Sequence, residues 1–123
     1  MEDKIANFFS IQMIYTMISF IIGHALAWYC HNGQLVWEFW DNRPFLSNFV
    51  FGIPAGVAFW YGTKFCMEAS GELWTTRFMV FALSYVTFPL MTWWYLNESM
   101  FTLKTGICTF LAFLILLIQI TLK

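Results

Sequence analysis

Residues 8–30, FFSIQMIYTMISFIIGHALAWYC, decide the fold, because they contain no aspartate, glutamate, lysine or arginine. A helix rises about 1.5 Å per residue, so roughly 20 apolar residues cross the hydrocarbon core of a bilayer. Three further apolar stretches cover residues 45–66, 75–96 and 103–122, with their basic residues close to the ends. Basic side chains at such positions reach the headgroups. The sequence therefore predicts an all-α bundle of four transmembrane helices with short loops, forming one membrane domain over residues 1–123.

Composition supports the lipid bilayer as the main partner. Of the 123 residues, 60% are hydrophobic and only 11% are charged. The hydrophobic share is higher, and the charged share lower, than in an ordinary soluble domain. A chain this short has too little interior to hide so much apolar surface. The formal net charge of −1 provides no basic field, so we expect no nucleic-acid partner.

The distribution of basic residues predicts the orientation of the chain. Four spans place both termini on one side of the membrane. Four basic residues fall on that side and two on the other: Lys4, Lys64, Arg77 and Lys123 against Arg43 and Lys104. The positive-inside rule then favours cytoplasmic termini, and we expect a cell inner or plasma membrane rather than an organellar one. The margin is small, so insertion in both orientations with antiparallel pairing stays open.

Five residues are candidates to line a substrate-binding cavity near the midplane: His24, Trp28, Trp60, Ser84 and Tyr85. His24 lies roughly 7 Å from the middle of its predicted helix. Ionisable groups at that depth face protein or water and often mark a transport path. A hydrogen bond that simply ties two helices together is the alternative role for this histidine.

Several residues predict how the helices bend and pack. Proline removes a backbone donor, so Pro54 and Pro89 are expected to kink the second and third helices. Small residues let membrane helices approach closely, and four glycines are assigned to helix packing: Gly23, Gly52, Gly56 and Gly106. Lys64 and Glu68, four residues apart, predict an ion pair at the end of the second helix.

Neither a catalytic set nor a cofactor site is recognisable in the sequence. No serine, histidine and aspartate have a plausible geometry, no carboxylate pair lies within a span, and no glycine loop could cradle a phosphate. The three cysteines lack CxxC spacing. His24 and His31 are the only two histidines, which is too few for a haem or metal site built on two histidine pairs. We therefore expect no enzyme activity, no metal and no cofactor.

Three short motifs resemble the small four-helix members of the drug/metabolite transporter superfamily, which include the small multidrug resistance proteins. Trp93-Trp94-Tyr95-Leu96-Asn97-Glu98 looks like that superfamily's third helix end with its loop glutamate, and Gly106 falls where a glycine of the next helix is often placed. Ala27-Trp28-Tyr29-Cys30-His31 is similar to the end of the first helix in a branch of small four-helix proteins. Ala58-Phe59-Trp60 is a fainter match in the second helix.

The resemblance implies a four-helix bundle that works as a homodimer and carries a small solute. It does not extend to proton-coupled drug export, because the multidrug proteins have a membrane glutamate in the first helix and this chain has none there. Phe113 also stands where a second glycine would be expected. The sequence thus leaves two functions open: a transporter-like carrier of a small solute, or a non-catalytic structural or accessory subunit of a membrane complex.

Overall fold

The computed structural model of the chain describes residues 10–122, and every regular element within that range is helical. The four long helices are α1 (Ile11–Asn32), α2 (Pro44–Ser70), α3 (Leu73–Leu96) and α4 (Leu103–Thr121). Each is long and apolar enough to cross a membrane. The predicted all-α, four-span architecture is therefore confirmed. The predicted start of the first helix at residue 8 lies outside the described residues, as do Lys4 and Lys123.

Capping side chains determine where α1 and α4 begin. The Ser10 hydroxyl accepts a hydrogen bond of 3.3 Å from the backbone N–H of Met13. The Thr102 hydroxyl does the same for the N–H of Thr105, also at 3.3 Å. Each bond satisfies one of the backbone donors that the first turn of a helix leaves without an intrahelical partner. Pro44 opens α2, where its missing N–H costs nothing.

Two left-handed residues end α2 and α3. Gly71 has a φ of 72° and Asn97 a φ of 56°, and the N–H of each bonds back to a carbonyl of the preceding turn. Because α2 continues to Ser70, four residues beyond the predicted end, both Lys64 and Glu68 lie on regular helix. No ion pair joins these two side chains in the described structure.

Helix α2 is interrupted near its start by a π-helical segment, Asn48–Gly52. Within it the N–H of Ile53 bonds to the carbonyl of Asn48, five residues back instead of four. Pro54, two residues after this segment, has no N–H of its own, so the irregular turn and the proline together disturb one stretch of the backbone hydrogen bonds. Pro89, in contrast, lies inside α3 and does not end it.

Helix α1 occupies the centre of the bundle. It packs against both α2 and α3, whereas α4 packs mainly against α3. One cluster of buried side chains joins all four helices: Met13, Phe20, Cys66, Met79, Ala82, Leu83 and Leu116. Helices α2 and α3 are neighbours in sequence but touch each other far less than each touches α1. This arrangement leaves a groove between α2 and α3 and places α4 at the edge of the bundle.

The predicted packing glycines lie in different environments. A Cβ on Gly23 would come within 3.0 Å of the Phe59 ring of α2, so this glycine does sit where two helices meet. A Cβ on Gly52 would meet Asn48 of its own helix at 3.0 Å. Gly56 and Gly106 have no atom within 4 Å of that position, so both lie on open faces of the chain.

Candidate functional site

His24 connects three helices near the middle of the bundle. Its Nε2 lies 2.8 Å from the backbone carbonyl oxygen of Val80 on α3, and the half-buried ring meets the Phe59 ring of α2 edge-on at 5.0 Å. No second hydrogen-bond partner for this histidine occurs among residues 10–122. A backbone carbonyl is a fixed acceptor, so this contact holds α1 and α3 in register. The second ring nitrogen stays available to a ligand or to water.

Trp28 lies one turn further along α1 and is also bonded to α3. Its side chain is 3% exposed, and the indole Nε1 donates a hydrogen bond of 3.0 Å to the Thr92 hydroxyl. The indole stacks on the Tyr95 ring at 5.2 Å. The hydroxyls of Tyr29 and Tyr95 are 2.7 Å apart and form a second polar contact between the same two helices. These aromatic rings close the end of the α1–α3 interface.

The other three predicted cavity residues make no hydrogen bond or ring contact with His24 in the described structure. Trp60 is 62% exposed on the outer face of α2 and contacts only its neighbour Tyr61 among the described aromatic rings, at 5.1 Å. Ser84 donates a hydrogen bond of 2.6 Å to the carbonyl of Phe81 on its own helix. The half-buried Tyr85 packs edge-on against the same phenylalanine at 5.5 Å. Of the five predicted residues, His24 and Trp28 are the two that make a hydrogen bond to another helix in the described structure.

A polar cavity of about 320 Å³ lies where α2 begins. Its lining comes from the end of α1, the first connection and the start of α2: Cys30, His31, Gln34, Trp40, Asn42, Arg43, Pro44, Ser47 and Asn48. Sequence reasoning missed this cavity because its residues are spread over three segments. The available signal was Asn48, a polar residue inside a predicted span and close to Pro54.

Asn48 links the cavity to the irregular turn of α2. Its Nδ2 donates a hydrogen bond of 2.8 Å to the carbonyl of Pro44, and its Oδ1 accepts one of 3.4 Å from the thiol of Cys30. The neighbouring Ser47 hydroxyl donates to the Cys30 carbonyl at 2.6 Å. These bonds connect the start of the π-helical segment to α1, and both Ser47 and Asn48 also line the cavity.

One buried hydroxyl in α3 has no partner. Thr87 is 6% exposed, and its Oγ1 makes no hydrogen bond to any residue in the described part of the chain. The residue lies near the middle of α3, between Tyr85 and Pro89. An unsatisfied buried hydroxyl costs about 1–3 kcal/mol.

These features define a class, the multi-pass membrane protein with four spans and short connections. No protein-family model matches the chain, and neither a curated protein nor a solved structure matches it. Residues 10–122 contain no group of three or more histidine, cysteine, aspartate or glutamate side chains that could hold a metal ion. What the arrangement provides chemically is a set of hydrogen-bonding side chains at the polar cavity and a packed aromatic and polar contact between α1 and α3.

Proposed function

We propose that this chain is a non-enzymatic carrier of a small solute, similar to the drug/metabolite transporters, and that it acts as a homodimer. The observation that carries the proposal is the interrupted start of α2, where Asn48 opens a π-helical segment and lines a polar cavity. Lipid cannot satisfy irregular backbone, so such turns occur in membrane helices where they line a cavity or are covered by protein. π-Helical turns are also frequent at functional sites.

Two polar groups deeper in the bundle also support the proposal. One is the second ring nitrogen of His24, near the middle of α1, and the other is the unpartnered hydroxyl of Thr87, near the middle of α3. Carriers place solute sites near the bilayer midplane, beside helices whose regular hydrogen bonding is broken. His24 therefore serves both as a tie between helices and as a group that a passing solute can contact.

The small enclosed volume of one chain supports the homodimer. Helix α4 packs mainly against α3, and its Gly106 faces open space. A second copy covers this face of α4 in the proposed dimer and brings two sets of polar groups together around a symmetry axis, which is the commonest arrangement of small assemblies.

Flux in liposomes tests the carrier. Purified wild type and the Asn48→Leu, His24→Ala and Cys108→Ala variants are reconstituted, and uptake of a panel of cationic, neutral and anionic solutes is measured. At least one solute should enter faster than in empty liposomes, and Asn48→Leu and His24→Ala should slow its entry several-fold. Cys108→Ala, on the exposed face of α4, is the control that keeps the wild-type rate. Background-level uptake of every solute by every variant would contradict the carrier.

A separate measurement of mass tests the homodimer. Native mass spectrometry in a mild detergent should give the mass of two chains. A uniform single-chain mass at concentrations well above those in the liposomes would exclude the homodimer, whatever the flux result.

The exposed face of α4 favours a second candidate, an accessory subunit of a membrane complex. Most of this helix is apolar and exposed, including Phe110, Leu117 and Ile118. Large apolar faces on membrane helices pack against either lipid or other proteins. Purification from native membranes in mild detergent separates the two functions. A stoichiometric second chain would support the subunit, and a homodimer alone would exclude it.

A further inference from the structure

A groove open to lipid runs between α2 and α3 on the side of the Gly71 turn. A cavity of about 560 Å³ lies between the two helices, lined by Thr63 of α2 and by residues of α3. A second cavity of about 430 Å³ continues it along α2, and Thr63 lines this one too. The groove exists because α2 and α3 both pack against α1 and make few contacts with each other. It lies at the opposite end of α2 from the polar cavity at Asn48, so the two sites are separate.

Two basic side chains line these two cavities near the Gly71 turn. Lys64 of α2 lines one cavity and Arg77 of α3 lines the other. Lys64 is six residues before the end of α2 and Arg77 four after the start of α3, so their Cα atoms lie about 9 Å and about 6 Å inside the helix ends. The two cations are thus at nearly the same depth, close to the boundary between headgroups and hydrocarbon.

Neither cation is neutralised by a carboxylate among residues 10–122. No ion pair forms between Lys64 and Glu68 despite their spacing, and none involves Arg77. The carboxylate of Glu72 accepts hydrogen bonds from Thr75 at 2.9 Å and from Gln119 of α4 at 3.4 Å. That acid is therefore engaged on the α4 side. Two unpaired cations at the edge of the hydrocarbon layer require an anion or water nearby.

Below the cations, the walls suit a hydrocarbon chain. Trp60, one turn deeper than Lys64, is 62% exposed along the groove. Trp74, near the start of α3, is 67% exposed at the mouth of the groove, where an indole suits the headgroup level. Gly56 leaves open space at the lower end, with no atom within 4 Å of a Cβ placed there. Phe59 and Val80, the two residues that contact His24 from α2 and α3, contribute to the linings.

We propose that this groove binds an anionic phospholipid, with the phosphate between Lys64 and Arg77 and an acyl chain along Trp60 towards Gly56. Charge complementarity at the head and an apolar channel below it match that ligand, whereas a zwitterionic headgroup would bring a positive charge towards two cations. Basic pockets between membrane helices bind anionic headgroups in this way. In the orientation predicted from the basic residues, the groove opens to the cytoplasmic leaflet, where anionic lipids concentrate.

Competition between two lipids tests the site. The full chain is incorporated into nanodiscs containing equal amounts of phosphatidylglycerol and phosphatidylcholine with identical acyl chains, then extracted into mild detergent. Native mass spectrometry counts the retained lipids. Wild type should retain more phosphatidylglycerol than phosphatidylcholine. In the Lys64→Gln/Arg77→Gln double variant, the ratio of retained phosphatidylglycerol to phosphatidylcholine should fall about tenfold. Lys104→Gln, which removes one positive charge at the opposite end of the bundle, should retain it.

A steric variant tests the channel without changing any charge. Gly56→Phe fills the lower end of the groove and should lower retention of phosphatidylglycerol several-fold, while Gly106→Phe, at an equally open glycine on α4, should not. Both proteins are checked first for a single species by size exclusion. Equal retention of the two lipids by wild type would overturn the proposal. So would a double variant that behaves as wild type, or a Lys104→Gln loss as large as that of the double variant.

Discussion

Gly62 of α2 lies so close to the ring of Phe20 of α1 that a Cβ at Gly62 would overlap the ring edge. Phe20 is fully buried and belongs to the cluster that joins all four helices, so its ring has no space to move into. Gly62 therefore sets the distance between α1 and α2.

We predict that Gly62→Ala destabilises the bundle by about 1–3 kcal/mol, the usual cost of overpacking a filled core. The free energy of unfolding in bicelles, measured by steric trapping, checks this value. Gly56→Ala on the same helix is the matched control and should change stability by a few tenths of a kcal/mol, since nothing lies near its Cβ position. Equal effects of the two substitutions would mean that helix propensity and not packing governs α2.

The bond between Trp28 and Thr92 should show a measurable coupling energy. A double-mutant cycle with Trp28→Phe and Thr92→Val should give about 0.6 kcal/mol, the average for hydrogen bonds between membrane helices, and at most about 1.7 kcal/mol. Both side chains are buried, so water does not compete for the partners. A coupling near zero would show that the packing of the indole on Tyr95 stabilises the interface without the hydrogen bond.

The left-handed end of α2 predicts a backbone effect. Gly71→Ala places a Cβ on a residue with a φ of 72°, which should cost about 1 kcal/mol of unfolding free energy. Asn97→Gly, at the equivalent position of α3, is the converse control and should be neutral or slightly stabilising, because asparagine tolerates that conformation. A silent Gly71→Ala would indicate that the turn adopts another backbone conformation.

Gln119 ties the end of α4 to the start of α3. Its amide lies 3.4 Å from both the Glu72 carboxylate and the Thr75 hydroxyl. Because α4 packs mainly against one helix, we expect Gln119→Leu to speed amide hydrogen exchange several-fold in the last two turns of α4. Ile118→Leu is the control at the neighbouring exposed position. Unchanged exchange in Gln119→Leu would show that apolar packing alone holds this end.

The sequence predicted the four spans because length and hydropathy are properties of single segments. It placed the end of α2 four residues too early, at residue 66, because Lys64 and Glu68 resemble a boundary in a hydropathy profile. The structure continues the helix to Ser70, since Gly71 provides the left-handed cap. The ion pair predicted for Lys64 and Glu68 does not form, and this leaves Lys64 facing the groove instead.

The candidate site was harder to predict, because its parts come from separate segments. His24 was recognisable as a rare ionisable residue at depth, but its partner is a backbone carbonyl, and any residue type at position 80 would supply one. Gly62 was overlooked for a similar reason: a glycine becomes a contact point only when a ring from another helix lies against it. The polar cavity combines α1, the first connection and α2, and no single stretch of sequence contains it.

The sequence by itself determined that the chain is a bundle of four membrane helices with short loops, because each span must satisfy its own backbone hydrogen bonds and match the bilayer thickness. Only the tertiary structure decided that α1 is the central helix, that His24 and Trp28 bond to α3, and that α2 and α3 separate into a groove. These relationships depend on which faces of the helices meet. In lipid that choice rests on close packing and a few polar contacts between distant residues, which hydropathy does not encode.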